Sequence, residues 1–201
     1  MLTVTDLACS RGERRLCDGV GFRLARGEWL HVKGENGSGK TTLLRTLVGL
    51  APADAGQVTW CGSDIRADPD MYRAALVYLG HPSALKDDLT VDENLHVALA
   101  LEGVAVDDEA LEAALRRMHL QDQRELRARQ LSAGQRRRLS MTRLLLRPAP
   151  LWVLDEPFAA LDAAGVATLG ELLHDHLAAG GIGVLTSHQA IALPAGQELT
   201  L

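Results

Sequence analysis

Residues 34–42 read Gly34-Glu35-Asn36-Gly37-Ser38-Gly39-Lys40-Thr41-Thr42, which is a Gly-x-x-x-x-Gly-Lys-Thr pattern. An apolar stretch precedes it and leucines at helical spacing follow it, so the loop is predicted to join a strand to a helix. Its glycines let backbone N–H groups point inward, and a helix N-terminus attracts anions. Lys40 can bind the β- and γ-phosphates, and the Thr41 hydroxyl can bind Mg²⁺. All nine residues are therefore predicted to form a nucleotide site.

A second element of the same site is predicted much later in the chain. The apolar run Leu151-Trp152-Val153-Leu154 ends in Asp155 and Glu156. Such a run is typical of a parallel strand buried on both faces, and ligands bind at the carboxyl ends of these strands. Asp155 is predicted to hold Mg²⁺, and Glu156 is predicted to orient and deprotonate an attacking water. The structural alternative, an acidic strand end that only caps a helix, is disfavoured by the phosphate loop.

Composition narrows the class of protein. The 201 residues suit one domain, with 47% apolar residues and a formal net charge of −5, so a general nucleic-acid binder is not supported. Apolar runs are too short to span a membrane. Cys9, Cys17 and Cys61 are widely spaced and match neither a disulfide framework nor a metal pattern. They are expected to be free thiols in a reducing cytoplasm.

Helix signals cluster in the middle of the chain. Thr90 with Glu93 predicts a capping box, Asp107 or Asp108 predicts the next helix start, and Ser132 predicts a third. The fold class is therefore predicted to be α/β, with an N-terminal antiparallel β subdomain and an inserted α-helical subdomain. We expect one domain over residues 1–201, with a β/α core at 1–80 and 149–201 and a mainly helical part at 81–148.

The stretch Leu131-Ser132-Ala133-Gly134-Gln135 discriminates between nucleotide-binding proteins. Ser132 at a helix N-cap, with Gly134 one turn in, makes a second anion site. A single chain does not need two such sites to bind one γ-phosphate. In a head-to-tail dimer, the second site of one copy closes on the nucleotide that the other copy holds. With the two motifs above, this stretch resembles the LSGGQ signature of ABC transporter ATP-binding subunits, with Ala133 in place of the first glycine.

That resemblance implies a P-loop NTPase core of the ABC ATPase type, which binds ATP and Mg²⁺, hydrolyses ATP and forms an ATP-dependent homodimer. It implies nucleotide contacts from Ser132, Gly134 and Gln135 of the second copy, and it places Asp162 at the dimer seam. His188 matches the histidine that contacts the γ-phosphate, so Glu156, His188 and Lys40 are the predicted catalytic residues. The chain departs from the family at His81, where the family usually has glutamine. Because Mg²⁺ prefers oxygen ligands, His81 is expected to act at the nucleotide site through a water or to sense the membrane partner rather than to bind the metal directly. The chain also departs near Arg11, where the family often has an aromatic that stacks on adenine.

Several shorter stretches resemble the ATPase subunits of cytochrome c maturation within this family. The resemblance implies a small integral membrane permease subunit as partner and a location on the cytoplasmic face of the bacterial inner membrane. It also implies coupling of ATP hydrolysis to haem handling or to release of a haem-loaded chaperone. No residue is predicted to ligate haem, and His174 and His176 are expected to be solvated helix residues. The stretches are 27–29, 80–82, 85–86, 131–138 and 180–182.

Three alternatives stay open at this point. The chain could serve another small-substrate transporter, or it could be a soluble ABC-type ATPase that assembles metal clusters. A P-loop module acting on nucleic acid is disfavoured, because the chain is acidic and lacks the heptads of a long coiled coil. The run Arg136-Arg137-Arg138 is interpreted as a mixture of a positive field near a partner and a solvated helix face, since consecutive residues cannot all face one site.

Overall fold

The computed structural model of the chain describes all residues except 81–83, 189, 190, 192 and 195. The chain divides into two compact units. The first unit comprises Met1–Tyr78, Ala149–Glu156 and Leu173–Leu201, and the second comprises Leu79–Pro148 and Pro157–Leu172. This division assigns residues 157–172 to the second unit, whereas the sequence-based boundaries place them in the core. The assignment of one functional domain to the whole chain stays a prediction.

The N-terminal part of the first unit is an antiparallel sheet. Its strand order is β2-β1-β4-β5, and β1 pairs antiparallel with both β2 and β4. The predicted strands at the N-terminus and the hairpin around the turn at residues 61–63 are confirmed. The strands are β1 (Leu2–Arg11), β2 (Arg14–Leu24), β4 (Ala55–Trp60) and β5 (Ser63–Asp64).

A second, five-stranded sheet carries the predicted nucleotide residues. Its order is β6-β7-β8-β3-β9, and the pairs β3–β8, β3–β9 and β7–β8 are parallel. Strands β7 and β8 are buried along their whole length, because both faces are covered. The strands are β3 (Trp29–Lys33), β6 (Leu76–Leu79), β7 (Leu151–Leu154), β8 (Ile182–Thr186) and β9 (Gln197–Thr200).

Helix α1 (Lys40–Leu47) follows the phosphate loop and joins the two sheets into one core. Its side chains Leu43, Leu44 and Leu47 are fully buried in a cluster that contains residues of both sheets. Burying a leucine side chain contributes roughly 1.5–3 kcal/mol. The core therefore fixes the start of α1, and with it the loop, against the carboxyl ends of the parallel strands.

Two elements of the first unit are absent from the sequence-based expectation. Helix α2 (Pro69–Ala74) is short, and Asp68 caps it by accepting a hydrogen bond from Met71 N. Its buried Tyr72 donates to Leu47 O at 2.8 Å. Strand β9 lies at the edge of the sheet beside β3 and is mostly exposed. It therefore lacks the alternation of buried and exposed residues that predicts a strand.

The second unit is helical, with α3 (Val91–Leu101), α4 (Asp108–Arg117) and α5 (Ala133–Leu146). Helix α6 (Ala163–Ala178) begins in this unit and ends in the first one. The predicted caps are confirmed: Thr90 and Glu93 form a capping box, and Asp107 accepts from Ala110 N. None of the helices in the described part of the chain combines the length and apolar character needed to cross a membrane.

The expectation of three free thiols is wrong for two of them. Cys9 on β1 and Cys17 on β2 face each other in the antiparallel register and form a disulfide, while Cys61 is free and exposed. Directly opposed residues of an antiparallel pair have neighbouring side chains. The eight-residue separation in the sequence does not reveal this register.

His176 is not the solvated helix residue that the sequence predicts. Its ring stacks on Trp152 of β7, with ring centroids 3.9 Å apart, and a ring nitrogen lies 3.2 Å from Ile182 O. The ring also covers Gly181, where a Cβ atom would lie only 2.3 Å from it. His174, on the opposite side of α6, is exposed as expected. The sequence predicts the same for both histidines, whereas in the structure only His176 of the two packs against β7.

This packing predicts a pH effect on stability. Burial lowers the pKa of His176 from its ordinary 6.5, and its hydrogen bond to Ile182 O partly opposes that shift. Below pH 6.5 the unfolded chain therefore binds the proton more readily than the folded chain, so folding stability falls as pH falls through this window. His176→Phe, which keeps a ring on Trp152, should make the stability curve shallower between about pH 5 and 7.

Urea unfolding at several pH values tests this effect. The matched control is His174→Gln, which changes an exposed histidine two residues away on α6 and should leave the slope unchanged. Equal slopes for the wild type and His176→Phe would contradict the assigned burial.

Candidate functional site

The phosphate loop lies between β3 and α1, as predicted. Gly34 and Gly39 adopt φ values of 147° and 113°, a region that favours glycine. A Cβ atom on Gly34 would lie 2.5 Å from Ser38 Oγ, and one on Gly39 would lie 2.7 Å from Leu16 Cβ. Neither position therefore has room for a side chain. The loop has glycine at both positions because no other residue fits them without displacement.

Lys40 is the first residue of α1 and points back over the loop. Its ammonium group donates to Gly34 O at 2.8 Å and to Glu35 O at 3.0 Å, and only 8% of the residue is exposed. The positive charge is thus held at the start of a helix, beside backbone N–H groups that already attract anions. This arrangement can bind the phosphates of a nucleotide.

Asp155 connects three segments of the first unit. It is 2% exposed, and its two carboxylate oxygens accept different hydroxyls: Thr41 Oγ1 donates to Oδ2 at 2.6 Å, and Thr186 Oγ1 donates to Oδ1 at 2.7 Å. Burial raises the pKa of Tyr78, and the nearby charge of Asp155 raises it further. The hydroxyl of Thr41 and the carboxylate of Asp155 are oxygen ligands of the kind that Mg²⁺ prefers.

Glu156 and His188 come together at the ends of adjacent strands. His188 Nε2 lies 3.4 Å from Glu156 Oε1, and the histidine is half-exposed while the glutamate is mostly buried. Glu156 has a φ of 50°, which is rare for a residue with a side chain. Its backbone N–H donates to Thr186 Oγ1 at 2.7 Å. A carboxylate in this position can accept a proton, and the histidine can donate a hydrogen bond.

The signature stretch lies in the second unit, at the N-terminus of α5. Ser132 Oγ accepts from Gln135 N at 3.2 Å, and Gln135 Oε1 accepts from Ser132 N at 2.8 Å. This confirms the N-cap that the sequence predicts at Ser132, and the reciprocal bond from Gln135 makes it a capping box, which was not predicted. The side-chain oxygen of Gln135 is thereby used within its own chain. The exposed helix start can still attract an anion through its other backbone N–H groups.

Gly134 is required by a close backbone approach. A Cβ atom at this position would lie 2.9 Å from Ala160 O, a contact that real Cβ atoms do not make. Gly134→Ala should therefore displace the loop that contains Ala160 and reduce the free energy of unfolding by about 1–3 kcal/mol. Urea denaturation gives this difference directly.

The control for that variant is the preceding residue. Ala133 is exposed in the first turn of the same helix, so Ala133→Gly should change the free energy of unfolding by no more than about 1 kcal/mol. A Gly134→Ala protein as stable as the wild type would contradict the close approach to Ala160.

The three consecutive arginines after the signature point to three different partners. Arg136 pairs with Asp87 at 2.6 Å, and Arg138 pairs with Asp162. Arg137 is buried and donates to Pro157 O and Gly80 O, each at 3.2 Å. The described contacts of all three lie within their own unit. Arg136 and Arg138 are therefore ion-paired and mostly covered, with side chains 27% and 14% exposed, rather than on the solvated face that the sequence suggests. The burial of Arg137 was not predicted either.

Asp162, which the resemblance places at a dimer seam, caps α6. Its Oδ1 accepts from Gly165 N at 2.9 Å and from the Arg138 guanidinium. These two donors, the backbone one first, hold the pKa of the Asp162 carboxyl below its usual range. The carboxylate is therefore charged and still largely exposed.

The predicted site residues fall into two sets. The first unit brings together residues 34–42, Asp155, Glu156 and His188, and the second unit contains Ser132, Gly134, Gln135 and Asp162. His81 lies outside the described residues, and Arg11 is exposed at the end of β1. Sequence reasoning missed Thr186. The polar end of an otherwise apolar buried strand is the signal that could have found it.

Comparison with known proteins agrees with this geometry. Residues 17–159 match the family model described as ABC transporter. The chain is 51% identical over 201 residues to the cytochrome c biogenesis ATP-binding export protein CcmA of Pseudomonas aeruginosa, covering 100% of this chain and 99% of that protein. It is 45% identical over 203 residues to the protein of that name from Dechloromonas aromatica, covering 100% of both.

Solved structures agree at the level of the fold. An ATP-binding subunit of an ABC transporter superposes with a TM-score of 0.83 at 28% identity, covering 94% of this chain and 80% of that one. MJ0796, a bacterial ABC transporter cassette solved as a dimer, gives 0.82 at 23% identity, with 94% and 88% covered. Motifs, fold and relatives together show that the chain belongs to the ABC transporter family of ATP-hydrolysing subunits, in the group of the cytochrome c biogenesis ATP-binding export proteins.

Proposed function

We propose that this chain hydrolyses ATP on behalf of a membrane complex for c-type cytochrome biogenesis. The observation that carries the proposal is its likeness, over the whole length of both chains, to proteins named cytochrome c biogenesis ATP-binding export protein. The hydrolysis is coupled to haem handling or to release of a haem-loaded chaperone. The chain itself does chemistry only on the nucleotide.

ATP binding is assigned to the phosphate loop. Residues 34–42 surround the β- and γ-phosphates with backbone N–H groups, and Lys40 adds a positive charge whose present acceptors are carbonyl oxygens of the loop. Phosphate oxygens are stronger acceptors than these carbonyls, because their charge strengthens the hydrogen bond. The ammonium group can therefore turn from the carbonyls to the nucleotide without leaving its place.

Mg²⁺ is assigned to Thr41 and Asp155. The two side chains already touch through a 2.6 Å hydrogen bond, and both supply oxygen donors, so they fit the ion. When bound, Mg²⁺ would neutralise charge on the phosphate oxygens. The residues of the chain hold the phosphates and the catalytic base in one fixed arrangement.

The base is Glu156. Its carboxylate accepts a proton from a water molecule as the water oxygen attacks the γ-phosphorus, and the bond to the β-phosphate oxygen breaks to leave ADP. His188, with Nε2 3.4 Å from the same carboxylate, orients it and contacts the γ-phosphate. The two residues lie at the ends of β7 and β8, where the sheet presents its carboxyl edge.

The second half of the site comes from another copy. Ser132, Gly134 and Gln135 form the exposed start of α5, which suits a γ-phosphate held by a second chain in a head-to-tail homodimer. Asp162, charged and exposed at the start of α6, belongs at the same seam. Each dimer then contains two composite sites.

The remaining partner is a small integral membrane permease subunit of the same complex. The chain is held through it at the cytoplasmic face of the bacterial inner membrane, and the haem-chaperone system is served indirectly. Neither nucleic acid nor a metal-cluster scaffold has a place in this assignment.

Two linked experiments test the assignment. Deletion of the gene should abolish c-type cytochromes, seen by haem staining, and the wild-type gene should restore them where Glu156→Gln does not. Affinity purification from detergent-solubilised membranes should recover a multi-span membrane protein with the tagged chain. Normal c-type cytochromes in the deletion strain would refute the assigned process and leave an ABC ATPase with another cargo. A cytosolic partner in place of the membrane protein would instead indicate a soluble assembly ATPase.

A further inference from the structure

Thr186 closes the buried strand β8 with a hydroxyl group. The strand reads Ile182-Gly183-Val184-Leu185-Thr186, every residue is buried, and Thr186 is fully inaccessible. A hydroxyl in such a place costs free energy unless it is hydrogen-bonded. Its two hydrogen bonds join it to Asp155 and Glu156, so these two residues explain why a hydroxyl group is buried here.

The two bonds differ in kind and together clamp the pair. Thr186 Oγ1 donates to Asp155 Oδ1 at 2.7 Å, which fixes the side chain of Asp155. The same oxygen accepts from the backbone N–H of Glu156 at 2.7 Å, which fixes the main chain at Glu156. The strand register brings these residues together. Leu154 pairs with Leu185, so Asp155, which follows β7, lies beside Thr186 at the end of β8.

The clamp acts where the backbone is strained. Glu156 has a φ of 50°, and a non-glycine residue holds such a conformation only when its surroundings enforce it. The hydrogen bond from its own N–H to Thr186 is one such enforcement. Without it, Glu156 can relax and carry its carboxylate away from His188.

We propose that Thr186 is a positioning residue for ATP hydrolysis. Its hydroxyl holds Asp155 in one rotamer and Glu156 in its strained conformation, and so aims the Glu156 carboxylate at the attacking water. The inference rests on the proposed roles of Asp155 and Glu156. Thr186 itself does not touch the nucleotide, so it affects the rate of the chemical step rather than ATP binding.

The test compares Thr186→Val with Thr186→Ser in the full-length chain, together with any membrane subunit that co-purifies. Valine keeps the shape and loses the hydroxyl, whereas serine keeps the hydroxyl and loses a methyl group. We expect Thr186→Val to lower kcat for ATP roughly 10- to 100-fold, as for a misplaced catalytic group, with KM changed less than about 3-fold. Thr186→Ser should retain most of the wild-type kcat.

Two further variants make the comparison decisive. Thr142 is equally buried, but its hydroxyl donates to Arg138 O within its own helix α5, so Thr142→Val should leave kcat unchanged. Thr186→Ala also lacks the hydroxyl and adds no apolar bulk beside Asp155. Its kcat should be as low as that of Thr186→Val.

A purely structural role predicts that kcat falls only as far as the folded fraction falls. Thr186→Val removes the hydroxyl partner of Asp155 Oδ1 and of the Glu156 N–H and should lower the melting temperature, but its kcat well below that temperature should then equal the wild-type value. A wild-type kcat in both Thr186→Val and Thr186→Ala under those conditions, while Glu156→Gln is inactive, overturns the inference alone. Full activity of Glu156→Gln would instead overturn the proposed role of Glu156.

Discussion

Glu156→Gln should reduce ATP turnover by roughly 10²- to 10⁴-fold, the range for loss of a general base, and should still bind ATP. Glutamine keeps the shape of the side chain and cannot accept the proton of the attacking water. The phosphate loop, Thr41 and Asp155 are untouched. ATP that is bound and not hydrolysed should hold two copies together, so the variant should become dimeric when ATP is added.

Steady-state hydrolysis, a binding titration and sedimentation with and without ATP measure these three properties. Glu171→Gln is the matched control, because it makes the same chemical change on an exposed part of α6 and should behave like the wild type. If Glu156→Gln binds ATP normally and stays monomeric, the shared-site mechanism is wrong.

Lys40→Ala should weaken ATP binding by roughly 10- to 100-fold, since a hydrogen bond from a charged group contributes about 1.5–3 kcal/mol. Lys40→Ala should lower the affinity for ATP as well as the rate of the chemical step, whereas Glu156→Gln should lower only the rate. Hydrolysis should fall with it. The expected loss is large because Lys40 is buried at the helix start, where solvent screens its charge little.

Lys33→Ala is the control for that variant. Lys33 lies just before the loop, and its ammonium group is exposed and paired with Glu198 at 2.5 Å. Removing it changes the net charge by the same amount, but an exposed pair contributes little. Equal loss of ATP affinity in both variants would mean that Lys40 acts only by adding positive charge near the loop, and not by a direct hydrogen bond to the phosphates.

The sequence predicts the core of this fold because its signals are local. The phosphate loop, the capping box at Thr90, the N-cap at Ser132 and the buried strand before Asp155 each follow from residues within a few positions of one another. The signature stretch and the phosphate loop also predict a site shared between two copies, since one chain does not need two anion sites for one γ-phosphate.

The features that escaped prediction depend on contacts between distant segments. The opposition of Cys9 and Cys17 follows from a hairpin register, and the stacking of His176 follows from its approach to β7. Burial of Arg137 requires two carbonyl acceptors that lie far from it in the sequence. Thr186 is the clearest case, because a threonine at a strand end has no special meaning until Asp155 and Glu156 lie beside it.

The claim that each nucleotide site needs two copies has a direct test. In a Glu156→Gln background, one protein carries Lys40→Ala and a second carries Ser132→Arg, so each alone lacks one face of every site. Mixed with ATP, they can form a dimer in which the intact loop of the second meets the intact signature of the first. Sedimentation should show a species of twice the 21.6 kDa chain mass in the mixture and in neither protein alone. A mixture that stays monomeric, while the Glu156→Gln protein itself dimerises, would contradict the account.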